Sequence, residues 1–273
     1  MHWQEKPLKT RLHHVQQHRL TLPGLEAMSL VTEQSFPRHS HDQFGIGIFT
    51  HGAQHSWSHL GKIEAAAGNI IMVNPGEMHD GIPLDGPRSW QMVYLNPERV
   101  AGEFQGERKA EDILLRPVVE DPQLRGLMQR LFSEITALVT DDIAVEEALL
   151  QCLMRVTRFH LCTRSPDKCD SPAVALARQY IDDAPEEKIS LDVLAALSGI
   201  SRFQLIRGFA RETGITPHAY LIQSRVRLAR RLLAAGHSPA DTALMAGFAD
   251  QSHLTRAFQK QFAMTPGRYQ ALR

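Results

Sequence analysis

The 273-residue chain contains little cysteine. Its three thiols, Cys152, Cys162 and Cys169, are odd in number and none falls in a C-x-x-C pair, which argues against a disulfide framework and a cysteine-rich zinc site. Long apolar runs are also missing, since no stretch reaches the ~18 consecutive apolar residues of a membrane span. Met1-His2-Trp3-Gln4-Glu5-Lys6 lacks the basic-then-apolar order of a signal peptide. These absences predict a protein of the reducing cytoplasm with no membrane partner. Phosphate-cradling loops are absent as well: Gly45-x-Gly47 has no third glycine, and no nucleophile–base–acid arrangement is evident.

Net charge is the last absence, with 30 basic and 30 acidic side chains, but the balance conceals a division. Residues 1–170 hold 17 Lys and Arg against 22 Asp and Glu, whereas residues 171–273 hold 13 against 8. From Arg202 onward, 11 bases face only Glu212, Asp241 and Asp250. One basic end on a neutral chain fits a polyanion-binding module joined to a second domain.

Residues from about 20 to 100 carry short apolar runs (Gly45–Phe49, Asn69–Val73, Trp90–Tyr94) punctuated by Gly, Pro and Asn, which predicts a small antiparallel barrel or sandwich. Apolar residues then recur at helical spacing over 122–139 and 143–161. A polar, proline-containing stretch at 166–172 reads as a linker, and residues 173–273 read as helices separated by glycine turns. The predicted class is α+β in two domains: a sensing domain over 1–165 and an all-α domain over 173–273.

Two segments of the last third share one pattern. In the first, Ser190 caps a short helix, Gly199 makes the turn, and Ser201 caps a helix with Leu205 and Phe209 inward. Arg202, Phe203, Ile206 and Arg207 then face outward. In the second, Gly247 makes the turn and Asp250 is the cap, with Leu254, Ala257, Phe258 and Phe262 inward. Gln251, Ser252, Thr255 and Arg256 face outward. Apolar side chains beside arginines suit a major groove, where they meet thymine methyls and guanine edges. The helix joining the units, from His218 to Ala235, bears Arg225, Arg227, Arg230 and Arg231, candidates for phosphate contact.

Gly247-Phe248-Ala249-Asp250-Gln251-Ser252-His253-Leu254-Thr255-Arg256-Ala257-Phe258, followed by Thr265-Pro266-Gly267-Arg268-Tyr269, resembles the AraC family of bacterial transcription activators. That resemblance implies two helix-turn-helix units in adjacent major grooves of double-stranded DNA, contact with RNA polymerase, and homodimerisation through the helices at about 122–161. Gly208, inside the first recognition helix, departs from good helix design, and either close approach to DNA or reduced rigidity accounts for it.

His39-x-His41 before one β-like run, with Pro75-Gly76-Glu77-x-His79 ending another, resembles the cupin-like sensing domain of such regulators. The resemblance makes a β-barrel the expected compartment for a small-molecule inducer. His39, His41, Gln43, Trp57 and His79 are its candidate ligand-binding residues, and His51, His55 and His59 are further donors. His39, His41 and His79 suit either a divalent transition metal or polar pocket lining. The glutamate usual after the H-x-H pair of catalytic cupins is missing, with Asp42, which should face away, and Gln43 in its place, so no catalytic residue is assigned. The reading is a ligand-responsive transcription regulator and not an enzyme, with a cupin-type metal enzyme fused to a DNA-binding module as the alternative.

Overall fold

The computed structural model describes residues 12–58, 61–103, 113–162 and 171–272. Its N-terminal half is an antiparallel sheet of β1 (His13–His18), β2 (Leu25–Thr32), β3 (Phe36–His39), β4 (Phe44–Ser58), β5 (Gly61–Ala66), β6 (Ile70–Val73), β7 (His79–Leu95) and β8 (Val118–Val119). Neighbours run β1-β2-β7-β4-β6-β8, with β3 on β7 and β5 on β4. Strands β4 and β7 extend over 15 and 17 residues, and register shifts near His51 bend their ladder. One end of β7 therefore pairs with β2 and the other with β3.

The expected closed barrel needs correction. The sheet folds over on β4 and β7, but among the described residues its outer strands β1 and β8 do not pair with each other. Helices and the C-terminal domain cover the apolar faces, so closure of the ladder is not what buries them.

Period-two alternation sorts the strands into two faces. Phe44, Ile46 and Ile48 lie beside Leu25, Ala27, Ile70, Met72, Val93 and Leu95 and form one core with two helices. These are α2 (Pro122–Ile135) and α3 (Asp142–Phe159), which follow the short α1 (Pro97–Glu103). Their inward stripes include Leu124, Met128, Leu131 and Phe132 on α2 and Val145, Leu149, Cys152 and Val156 on α3. Asp121 caps α2 by accepting the Gln123 and Leu124 N–H groups, and it also receives Arg155 at 2.9 Å and His160 at 2.6 Å. One carboxylate thus ties the start of α2 to the end of α3.

The C-terminal domain begins at α4 (Pro172–Asp183) and continues with α5 (Leu191–Ser198), α6 (Arg202–Thr213), α7 (Pro217–Ala234), α8 (Pro239–Met245), α9 (Gln251–Phe262) and α10 (Pro266–Ala271). Most of the expected linker, residues 166–170, lies outside the described residues. The anticipated caps are in place: Ser201 forms a reciprocal capping box with Gln204, and Asp250 accepts the His253 N–H at 2.7 Å. Gly199 and Gly247 take φ of 64° and 77°, the left-handed geometry that turns α5 into α6 and α8 into α9.

Gly208 is explained by packing inside the protein. It is buried where α6 crosses α4, and a Cβ there would lie 2.7 Å from Val174 Cγ2. The two helices approach too closely for a side chain, so neither suggested DNA-related role is needed. Helix propensity alone predicts that Gly208→Ala gains about 1 kcal/mol. The contact predicts the opposite, a net loss of about 1–2 kcal/mol in chemical unfolding, partly restored by adding Val174→Ala.

Candidate effector cavity and nucleic-acid interface

The second face of the sheet builds the cavity. Glu26, Tyr94 and Val73 form one row across the strands, Met28, Met92 and Ile71 the next, and Leu30 and Trp90 a third. Gly45 and Gly47 sit at the β4 positions of the first two rows. A Cβ at Gly45 would stand 2.6 Å from Val73 Cγ2, and one at Gly47 would stand 2.7 Å from the Gln91 carbonyl. The two glycines of the discarded G-x-G pattern thus let Tyr94 and Met92 lie across the strand.

The opposite wall comes from the C-terminal domain: Gln261, Phe262, Ala263 and Met264 at the end of α9, and Tyr269 on α10. Between them lies a cavity of about 140 Å³, apolar over most of its lining. That volume matches a benzene-sized guest. Among the described residues the lining includes no lysine or arginine. Its carboxylates are engaged elsewhere: Glu26 with Arg230, Glu77 with the Asn74 amide, and Asp80 with Arg38 and the Trp57 N–H.

Three imidazoles close one end. His39, His41 and His79 have ring centroids 4.4–5.1 Å apart, and one ring nitrogen from each lies within 4.8 Å of the others. Strand β3 delivers His39, the connection to β4 delivers His41, and the first residue of β7 delivers His79. Burial lowers the pKa of all three, and the neighbouring His79 ring adds to it at His39, which falls to about 3. His39 Nδ1 lies 2.8 Å from the Pro37 carbonyl and His79 Nδ1 lies 3.1 Å from the Glu77 carbonyl. A carbonyl only accepts, so each Nδ1 carries the proton and each Nε2 keeps its lone pair. Gln43 also lines the cavity, with its amide held by Asn96.

Trp57 requires correction as a ligand-binding residue. The register shifts near His51 turn Gln54, Ser56 and Ser58 inward, leaving Trp57 outside under the Arg38 guanidinium, 4.2 Å from the ring centre. His51 and His55 are exposed, His55 beside Glu64 at 3.1 Å, and His59 lies outside the described residues.

The outward residues of α6 and α9 remain accessible. Phe203 is 67% exposed and Ile206 37%, with Arg202 and Arg207 exposed beside them. On α9, Gln251, Ser252 and Arg256 are exposed and Thr255 is partly so. Their inward partners Leu205, Phe209, Leu254 and Phe258 are fully buried.

Of the α7 arginines read as phosphate-facing, Arg225, Arg227 and Arg230 turn inward and Arg231 stays exposed. Arg225 donates to the Pro185 and Glu187 carbonyls. Arg227 donates to Ser40 Oγ and Asp182, each at 2.8 Å. Arg230 is 7% exposed and bridges Glu26 at 2.9 Å and Asp42 at 2.8 Å, which Arg231 also approaches. Gln261 donates to the Ser40 carbonyl at 2.7 Å. Sequence reasoning missed Glu26, Ser40 and Gln261. Strict alternation along His39-Ser40-His41-Asp42 was the signal available for Ser40 and Asp42, whereas nothing local marked Glu26 or Gln261.

A sheet-walled cavity joined to paired helix-turn-helix units defines a DNA-binding regulator with a ligand-binding domain. An AraC-like ligand binding domain model matches residues 25–153, and a helix-turn-helix domain model matches residues 194–271. The chain belongs to the AraC-type family of transcription regulators. It is 26% identical over 236 residues to the helix-turn-helix-type transcriptional regulator YbfI of Bacillus subtilis, covering 81% of this chain and 82% of that one. It is 24% identical over 247 residues to the transcriptional activator RhaS of Escherichia coli, covering 86% and 87%. The fold is similar to that of ToxT from Vibrio cholerae, with a TM-score of 0.52, 10% identity, and coverage of 91% and 98%. These relatives support the regulator reading over the metal-enzyme alternative.

Filling the cavity should separate its lining from its surroundings. Ala65→Leu projects into it and is expected to reduce uptake of a benzene-sized apolar guest several-fold in calorimetric titration, whereas Trp57→Ala leaves uptake unchanged.

Proposed function

We propose that the protein is a cytoplasmic, effector-responsive transcription activator whose effector occupies the cavity between the sheet and α9. The observation that carries this reading is the shared wall. Phe262, Ala263 and Met264 line the cavity at one end of α9, and Gln251, Ser252, Thr255 and Arg256 face solvent at the other end or along it. An occupant therefore touches the helix that presents the second set of DNA contacts, and differential contact is what shifts a conformational equilibrium. The lining favours a small, largely apolar effector. A ToxT structure with unsaturated fatty acid bound (TM-score 0.53, 11% identity) gives precedent for apolar ligands in this fold. The cavity's role is binding and not catalysis.

Arg202, Phe203, Ile206 and Arg207 of α6 read one major groove, and the α9 residues read the next. Two further partners complete the reading. RNA polymerase is the partner through which a DNA-bound activator acts. A second copy of the chain meets α3, where Ile143, Leu150 and Met154 are 77%, 38% and 70% exposed at spacings of seven and four, the repeat of a helix-pairing seam.

DNA footprinting on the protein's own upstream region tests the assignment. Wild type is expected to protect a site of about two helical turns per subunit, with affinity falling steeply as salt rises. Arg207→Ala with Arg256→Ala should abolish sequence-specific protection, and protection unchanged by both substitutions would reject these helices as the readers. Leu150→Glu with Met154→Glu should convert a dimer to a monomer in analytical ultracentrifugation while leaving the far-UV circular dichroism unchanged.

A further inference from the structure

The segment His39-Ser40-His41-Asp42 faces two ways. His39 and His41 turn into the cavity towards His79, while Ser40 and Asp42 turn towards the C-terminal domain. We propose that His39, His41 and His79 bind a divalent transition metal, that its open coordination position faces the cavity, and that occupancy is relayed to α7 and α9 through Ser40 and Asp42. The proposal rests on the regulator reading and adds to it a ligand and a route.

The donor set fits such an ion. Metal-bound histidines characteristically donate the second ring N–H to a carbonyl or carboxylate, which fixes the tautomer and aims the other nitrogen. His39 and His79 each have that arrangement, with Pro37 and Glu77 as acceptors. Three imidazoles suit Zn, Ni, Cu or Co and not Mg or Ca. The aromatic ring of Phe262, 5.7 Å from that of His41, borders the open side. The class of effector follows: a small apolar molecule with one electron-pair donor for the metal.

Closure of the site supplies the relay. Imidazole–metal bonds of about 2.0–2.1 Å need the three nitrogens roughly 3.3 Å apart in a tetrahedral arrangement. Here they lie within 4.8 Å of one another, so seating one ion on all three sets their relative positions. Ser40 and Asp42 are covalently interleaved with them and must respond. Arg227 and Gln261 hold Ser40 through its hydroxyl and its carbonyl, and Arg230 holds Asp42. The movement therefore reaches the helix joining the two units and the second recognition helix.

The test uses the full chain, stripped with chelator and titrated with Co(II) or Zn(II) alone. Calorimetry and visible absorption of the Co(II) form should report one ion per chain. His39→Ala and His79→Ala should abolish that signal, and His55→Ala should not. His79→Gln keeps size and polarity as a check on folding. Metal should change wild-type DNA affinity at least about tenfold, while Ser40→Ala with Asp42→Asn should bind the ion yet lose that change. Absence of stoichiometric binding, or binding that survives loss of His39 and His79, overturns the site. A full metal effect in the Ser40/Asp42 variant overturns the relay. DNA binding that ignores metal defeats this inference alone, whereas no specific DNA binding with or without metal defeats the regulator reading beneath it.

Discussion

Arg230 lies almost wholly out of water between Glu26 and Asp42, two carboxylates of the other domain. A buried guanidinium is tolerated only when paired, and removing one partner of such a pair strands a charge at a cost of about 3–5 kcal/mol. Attraction to both carboxylates outweighs its burial and raises its pKa. This requirement sets α7 against the sheet. With α7 set, α9 and α10 bring Phe262, Met264 and Tyr269 over the apolar sheet face. The cavity is therefore a product of docking and belongs to neither domain alone.

The same docking gives a chain of dependence from packing to function. Gly45 and Gly47 let side chains of β7 lie across β4. Leu30, Phe49, Trp90 and Met92 share one cluster with Leu254, Phe258 and Tyr269, so the sheet and the second helix-turn-helix unit bury a single core. The first unit, around Leu205, Phe209 and Tyr220, has a core of its own. An occupant of the cavity would touch the second unit directly, and the first is joined to the sheet domain through α7 and through the Arg38–Gly214 contact.

Much of this was legible locally. Helix periodicity placed α2 and α3, cap residues placed the starts of α5, α6 and α9, and outward Arg207 and Arg256 followed from Leu205, Phe209, Leu254 and Phe258 turning inward. Period-two spacing predicted that His39 and His41 share a face. Trp57 was misplaced because register shifts near His51 reset the alternation. Those shifts arise from pairing between β4 and β7, which the order of residues in β4 does not express.

The sequence by itself determined the two-domain division, the duplicated helix-turn-helix pattern and the inward or outward sense of α6 and α9. These depend on contacts three or four residues apart and on caps one turn away. Tertiary structure alone decided that the sheet stays open, that Gly208 accommodates Val174, and that Arg227, Arg230 and Arg231 meet protein carboxylates. A guanidinium pairs as well with a phosphate as with a carboxylate, so its partner is set by what folding places beside it. For Arg230 those partners lie about 190 and 200 residues away in the chain.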